Sequence, residues 1–138
     1  MNKRSIGHLG EESAALYLES CGYWILGRNV YIGRREIDLI AENDTALVFV
    51  EVKMRRAYPD TPDCYGVPAD RVDARKQQNL IAAADAYLQS YGGNKAPRID
   101  VIEVYADPAS PVYRVLDIRH YENAVRKAGK FSRRPHSR

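Results

Sequence analysis

The sequence is poor in cysteine, in long apolar runs and in aromatic residues other than tyrosine. Its two cysteines, Cys21 and Cys64, form no Cys-x-x-Cys or Cys/His ligand spacing. This argues against a zinc site or a disulfide framework and for free thiols in a reducing compartment. No apolar run reaches the roughly 18 residues a membrane helix needs. The N-terminal MNKRSIGHLGEESAA turns acidic before any signal-peptide core forms, so a cytoplasmic protein with no membrane partner is expected. There is no internal repeat. Against one tryptophan and two phenylalanines stand ten tyrosines. Two of them, Tyr58 and Tyr65, fall in a proline-rich stretch and are candidates for base stacking, although tyrosines more often close a core or cap a loop.

The 138 residues and the 45% hydrophobic content suit one domain with its own core. The net charge of +3 hides an asymmetry. Arg126 to Arg138 holds six Lys/Arg and no acid, which leaves 15 basic against 18 acidic residues over 1–125. The expected organisation is therefore a single mildly acidic domain over 1–125 and a basic tail over 126–138. Such a tail reads equally as a disordered arm with salt-sensitive attraction to nucleic acid and as a solubilising extension.

The pattern along the chain predicts a helix from about Ser5 to Cys21, with Ser5 as a candidate N-cap and Gly22 as the stop. Apolar residues surround this helix, so periodicity assigns it no single buried face. Strands are expected at Tyr23 to Tyr31, with a break near Gly27, at Glu36 to Glu42 and at Ala46 to Met54. The last two are joined by the polar turn Asn43-Asp44-Thr45. Ala57 to Ala69, with three prolines and a glycine, reads as a surface loop. Leu80, Ala84, Tyr87, Leu88 and Tyr91 mark an amphipathic helix from about Asp70 to Tyr91, ended by Gly92-Gly93. Strands at Ile99 to Tyr105 and Val112 to Ile118 follow, then a short helix before the tail. The order α-β-β-β-α-β-β predicts a mixed central sheet flanked by helices.

The stretch EIDLIAENDTALVFVEVK, residues 36 to 53, sets Glu36, Asp38, Glu51 and Lys53 inside apolar strands. Alternation puts Glu36 with Asp38 and Glu51 with Lys53 on single faces. With Asp44-Thr45 as a two-residue turn, Asp38 opposes Glu51 and Glu36 opposes Lys53. Ile37, Leu39, Val48, Val50 and Val52 are then left as the packing face. Two carboxylates about 5 Å apart cost roughly 3 kcal/mol at an effective dielectric near 20. A divalent cation with few protein ligands, such as Mg²⁺, is one way to offset that. Lys53 would project into the same space to stabilise charge and orient water. The competing explanation is a solvated face carrying ion pairs such as Glu36 with Lys53.

Asp38 followed by Glu51-Val52-Lys53 resembles the D…ExK signature of the restriction-endonuclease-like nuclease superfamily. GEESAALYLESCGYWILGRN, EIDLIA, LVFVEVKMR, RKQQNLIAAADAYL and RIDVIEV resemble more closely the YraN-like family of small bacterial proteins within it, whose relatives include archaeal Holliday-junction resolvases. The similarity runs from about Gly7 to Ile118. It implies a restriction-endonuclease-like α/β core in which Asp38 and Glu51 bind Mg²⁺ or Mn²⁺ and Lys53 supports the attacking water. It also implies that a glutamate of the first helix, Glu11 or its neighbour Glu12, completes the site. Lys76 matches a family lysine and is a candidate phosphate contact, and Gln77 and Asp100 fall in family-like segments. Arg35 stands where the family has glycine, and with Arg34, Arg55 and Arg56 would carry nucleic-acid contacts.

The leading expectation is a Mg²⁺-dependent nuclease hydrolysing phosphodiester bonds in DNA, with branched or single-stranded DNA as candidate substrates and a homodimer as a candidate assembly. The alternatives are a non-catalytic nucleic-acid-binding module of nuclease fold, acting with a repair, recombination or uptake partner, and a protein-interaction domain.

Overall fold

A computed structural model describes residues 3–57, 73–109 and 114–126. The elements are α1 (Lys3–Ser20), β1 (Trp24–Ile32), β2 (Arg35–Glu42), β3 (Ala46–Arg56), α2 (Ala74–Tyr91), β4 (Ala96–Ala106) and β5 (Val115–Val125). Tyr58, Cys64, Tyr65 and the tail from 127 lie outside the described residues.

Helix α1 begins at Lys3, so Ser5 lies inside the helix and is not its N-cap. Its end is a Schellman arrangement. Gly22, at φ 91°, donates its N–H to the Glu19 carbonyl, and Tyr23 donates to Leu18. Tyr23 and Leu18 also pack in one core, the apolar contact that accompanies this cap. Ala14, Ala15 and Leu18 are buried whereas Leu16 is 58% exposed, which supplies the buried face that periodicity left open. The helix lies close on the sheet: a Cβ at Gly10 would stand 2.5 Å from Met54 Sδ. Helix α2 starts from Asp73, whose carboxylate accepts from the Lys76 N–H at 2.8 Å, and ends at Gly92 in the left-handed region.

The sheet has the order β1-β2-β3-β4-β5. Pairing is antiparallel throughout except for β3 and β4, which run parallel and are joined through α2, the crossover such strands require. The expected break near Gly27 appears as a register shift between Ile25 and Gly27. No short helix precedes the tail among the described residues. Instead β5 continues as strand to Val125, its edge fully paired with β4 from Val115 onward apart from two irregularities.

Both faces of the sheet are covered, as expected of a mixed sheet flanked by helices. Leu39, Ala41, Val48, Val50, Ile102 and Val104 pack under α1. Ile40, Leu47, Phe49, Ile99 and Val101 pack with Leu80, Ala83 and Ala84 of α2. Ile37 breaks the alternation. It joins Ile40 on the α2 side although Leu39 between them faces α1. The switch occurs at Asp38 and is mirrored on β1, where Asn29 takes φ 48°. The β1–β2 rungs include Arg28↔Leu39 and Val30↔Ile37 but skip Asn29 and Asp38.

The β2–β3 ladder also stops there. Its rungs run from Glu42↔Leu47 to Leu39↔Val50, in the register expected from the two-residue turn. Beyond Val50, β3 stays paired with β4 as far as Arg56↔Ala106, while β2 stays paired with β1 as far as Arg35↔Ile32. The sheet thus forks, with the β1–β2 hairpin as one prong and β3–β4–β5 as the other.

Candidate active site at the fork of the sheet

Asp38 stands in the crotch of the fork. Its Oδ2 accepts from the Val52 N–H at 2.9 Å, so a side chain replaces the rung that β2 no longer supplies and satisfies a donor that would otherwise lack a partner. Glu51, one residue before Val52, is 5% exposed. Burial, and then repulsion from Glu51, push the Asp38 carboxyl up to about 7, with the Val52 N–H pulling the other way. The two carboxyls are thus near enough for each to feel the other's charge.

Two lysines reach the same oxygen of Glu51. Lys53 Nζ lies 3.5 Å from Oε2, and Lys76 Nζ, from the first turn of α2, lies 3.7 Å from it. The expected opposition of Glu36 and Lys53 does not form, because the strands have already parted. Glu36 pairs instead with Tyr31 on β1, and Lys53 turns to the carboxylate on its own strand.

The geometry separates the two glutamates of α1. Glu11 Oε1 accepts from Asn29 Nδ2 at 2.9 Å. Its carboxyl is pushed up by burial, eased by Asn29 and pushed further by the charges of Asp38 and Glu36. Glu12 points away, with its Oε2 2.6 Å from Arg28 Nη1 in an exposed pair. Asn29 was not singled out from the sequence. It supplies both the left-handed backbone residue at the face switch and the amide that holds Glu11. An asparagine before a β-branched strand residue carries no signal that would have revealed this.

Of the candidate nucleic-acid contacts, Arg35 is exposed at the start of β2 and Arg56 is exposed at the end of β3. Lys76 is held on Glu51. Arg55 is drawn along the sheet, with its Nε 3.1 Å from Glu103 Oε2. Glu103, which the sequence reading passed over, is 4% exposed and also accepts from the Tyr105 hydroxyl at 2.8 Å.

Asp38 and Glu51 suit a small hard cation, which takes one or two protein carboxylates and completes its shell with water and phosphate. The mutual repulsion raising the Asp38 pKa is the local electrostatic demand such a cation would meet. Among the described residues no three His, Cys, Asp or Glu side chains converge, so a closed cage of the structural zinc type is not formed there.

Comparison with known proteins places the same segments in one group. The profile of the uncharacterised protein family UPF0102 matches residues 10–104. The chain belongs to this family. A UPF0102 protein of Caldanaerobacter subterraneus subsp. tengcongensis is 42% identical over 109 residues, covering 78% of this chain and 85% of the relative. One from Symbiobacterium thermophilum is 44% identical over 106 residues, covering 76% and 86%. One from Caldicellulosiruptor saccharolyticus is 38% identical over 125 residues, covering 90% and 99%.

The UPF0102 match spans Glu11, Asn29, Asp38, Glu51, Lys53 and Lys76 and stops two residues before the end of β4. It also includes Asp100, whose surroundings are structural. Asp100 is fully buried and takes a fork of bonds from Arg98, Nε to Oδ1 and Nη2 to Oδ2, each at 2.9 Å. His120 Nε2 lies 2.6 Å from Oδ2, and the Asn123 N–H donates to Oδ1 at 2.8 Å. Burial alone would raise this carboxyl, but the bonds from His120 and Arg98 outweigh it and hold the pKa below the ordinary value. Tyr17 of α1 meets His120 Nδ1 at 3.1 Å. The network ties α1, β4 and β5 together on the face opposite Glu51.

Proposed function

We propose that this UPF0102 protein is a Mg²⁺-dependent nuclease that hydrolyses phosphodiester bonds in DNA, with a restriction-endonuclease-like core. The observation that carries this reading is the fork itself. Asp38 and Glu51 come from strands that part at that point, press their carboxyls together in a largely buried site, and have Lys53 3.5 Å from Glu51.

Asp38 and Glu51 would hold the cation, with Mn²⁺ as a substitute. When bound, it supplies charge neutralisation at the phosphate and a water of lowered pKa. Lys53, 3.5 Å from Glu51, would orient the attacking water and balance negative charge developing on the phosphate. Glu11, fixed by Asn29, keeps negative charge beside Asp38 and positions the site from the helix side. Lys76 is the second cation on Glu51 and is placed to take a phosphate oxygen. Outside the fork, Arg35 and Arg56 contribute exposed positive charge.

A labelled panel of single-stranded, duplex, flap and four-way-junction DNA, with matched RNA, tests the reading under Mg²⁺, Mn²⁺ or EDTA beside Glu51→Ala. Metal-dependent cutting that Glu51→Ala loses is the expected result. One feature favours a second reading, a nucleic-acid-binding module without turnover: Lys53 and Lys76 already neutralise Glu51 without any cation. Binding across the panel with no product in either metal would establish that reading. Among the described residues no helix is long and apolar enough to cross a membrane.

A further inference from the structure

The hairpin prong of the fork ends in a tip that carries exposed side chains as well as Ile32, which packs on the core. Gly33, at φ 64°, opens a two-residue turn between the paired Ile32 and Arg35, and nothing lies within 4 Å of where its Cβ would be. Arg34 and Arg35 are both exposed. Val30 and Ile32 turn inward to pack on the α2-side core, so Tyr31 between them faces the other way and is 68% exposed. A single exposed aromatic is unremarkable. What singles this one out is its position one residue from the rung Ile32↔Arg35 that closes the turn carrying Arg34, with Arg35 on the Ile32 face of the hairpin, and two residues from Asn29, the residue that holds Glu11. At about 3.4 Å per residue, the ring stands roughly 7 Å along the strand from the level of Asp38, within one or two nucleotides of a phosphate in the fork. Glu36 is the rung partner of Tyr31, so phosphate contacts at the tip fall to the arginines.

We propose that this tip binds an unpaired DNA strand, stacking one base on the Tyr31 ring while Arg34 and Arg35 take the flanking phosphates. Stacking of this kind needs a base whose face is free, which makes single-stranded or splayed DNA the substrate class and demotes intact duplex. The placement of the scissile phosphate rests on the nuclease reading above, whereas the binding itself does not.

The test is fluorescence anisotropy in EDTA at low salt, with a labelled 20-mer of deoxythymidine and a blunt 20-base-pair duplex as the probes. Tyr31→Ala is expected to weaken oligonucleotide binding about tenfold, with Tyr31→Phe within about twofold of wild type and duplex binding unmoved by either. Arg34→Ala with Arg35→Ala should lower the slope of log affinity against log salt by about one to two. The proposal is overturned if the wild type does not bind the oligonucleotide, if Tyr31→Ala binds it as well as wild type, or if the loss is equal on duplex. It is also overturned if Tyr31→Ala changes the sedimentation mass, which would make the tip a contact between copies of the chain. Because EDTA removes turnover, failure here leaves Asp38 and Glu51 as proposed. A panel with no cleavage products leaves the stacking result standing.

Discussion

Replacing Asp38 by asparagine separates what this residue does for the fold from what it does for charge. The amide oxygen can still accept from the Val52 N–H, which the carboxylate meets at 2.9 Å, but the charge beside Glu51 is gone. In the wild-type protein the Asp38 carboxyl is raised from 3.8 to about 7 by burial and by Glu51. A carboxyl raised in the folded state binds its proton more tightly there than in the unfolded chain. Its contribution to stability is therefore complete below about pH 4 and is lost as pH rises through 7. At about 1.4 kcal/mol per pH unit the full loss is on the order of 4 kcal/mol, and relaxation around the fork will reduce it. Chemical denaturation in EDTA should therefore show wild type losing stability between pH 5 and pH 8.5. Asp38→Asn should be about 1–3 kcal/mol more stable than wild type at pH 8.5, with the difference narrowing toward pH 5 and closing only below about pH 4. Millimolar Mg²⁺ should stabilise wild type at pH 8.5 and leave Asp38→Asn unmoved, since a ligand stabilises only the state that binds it. A wild-type stability that is flat across this range, or an Asp38→Asn protein less stable than wild type at pH 8.5, would refute the reasoning, because the two carboxyls would then not be forced together.

Other outcomes follow from the same geometry. Glu11→Gln should lower the cleavage rate while Glu12→Gln leaves it within about twofold and costs at most about 1 kcal/mol of stability, the ordinary value of an exposed pair. Equal effects on rate would remove Glu11 from the site. Asn29→Ala should destabilise by about 1–2 kcal/mol through the lost bond to Glu11 and the left-handed backbone. Asn29→Gly should recover the backbone part in a urea titration, and no difference between the two would mean that φ at this position carries no strain. Asp100→Ala should cost about 3–5 kcal/mol by removing the buried carboxylate that Arg98, His120 and the Asn123 N–H share, read as a fall in the denaturation midpoint. The pH dependence of Asp100 is opposite to that of Asp38. A carboxyl held below its ordinary value stabilises above about pH 4 and loses that contribution as acid protonates it.

The pairing of Asp38 with Glu51 could be worked out from the sequence because two short-range rules suffice: side chains alternate along a strand, and a two-residue turn sets the register. The observed rung Leu39↔Val50 keeps that register. The failures came where a local event overrides alternation. Alternation puts Ile37 with Leu39, yet the face switch at Asn29 and Asp38 sends it to the opposite core, and one left-handed asparagine in a strand leaves no periodic trace. The opposition of Glu36 and Lys53 follows only if the ladder extends past Leu39↔Val50, where the strands part. The choice between Glu11 and Glu12 depended on Asn29 and Arg28, which a helical wheel does not contain. Asp100 stood in an apolar strand like Asp38, and what distinguishes them is their partners: a cationic fork for one and a second carboxylate for the other. Those partners lie far along the chain, so composition and spacing cannot tell the two aspartates apart.

The fork also has a mechanical consequence. The β1–β2 hairpin is joined to the rest of the sheet by the four rungs from Leu39↔Val50 to Glu42↔Leu47, and from Leu39 to the tip at Arg35 it extends about 13 Å beyond them. It is a lever, and Asp38 sits next to its fulcrum. A displacement of the tip would be carried along the strand toward Asp38, while Glu51 and Lys53 are held by their rungs to β4. The bonds from Asn29 to Glu11 and from Val52 to Asp38 are what would resist it.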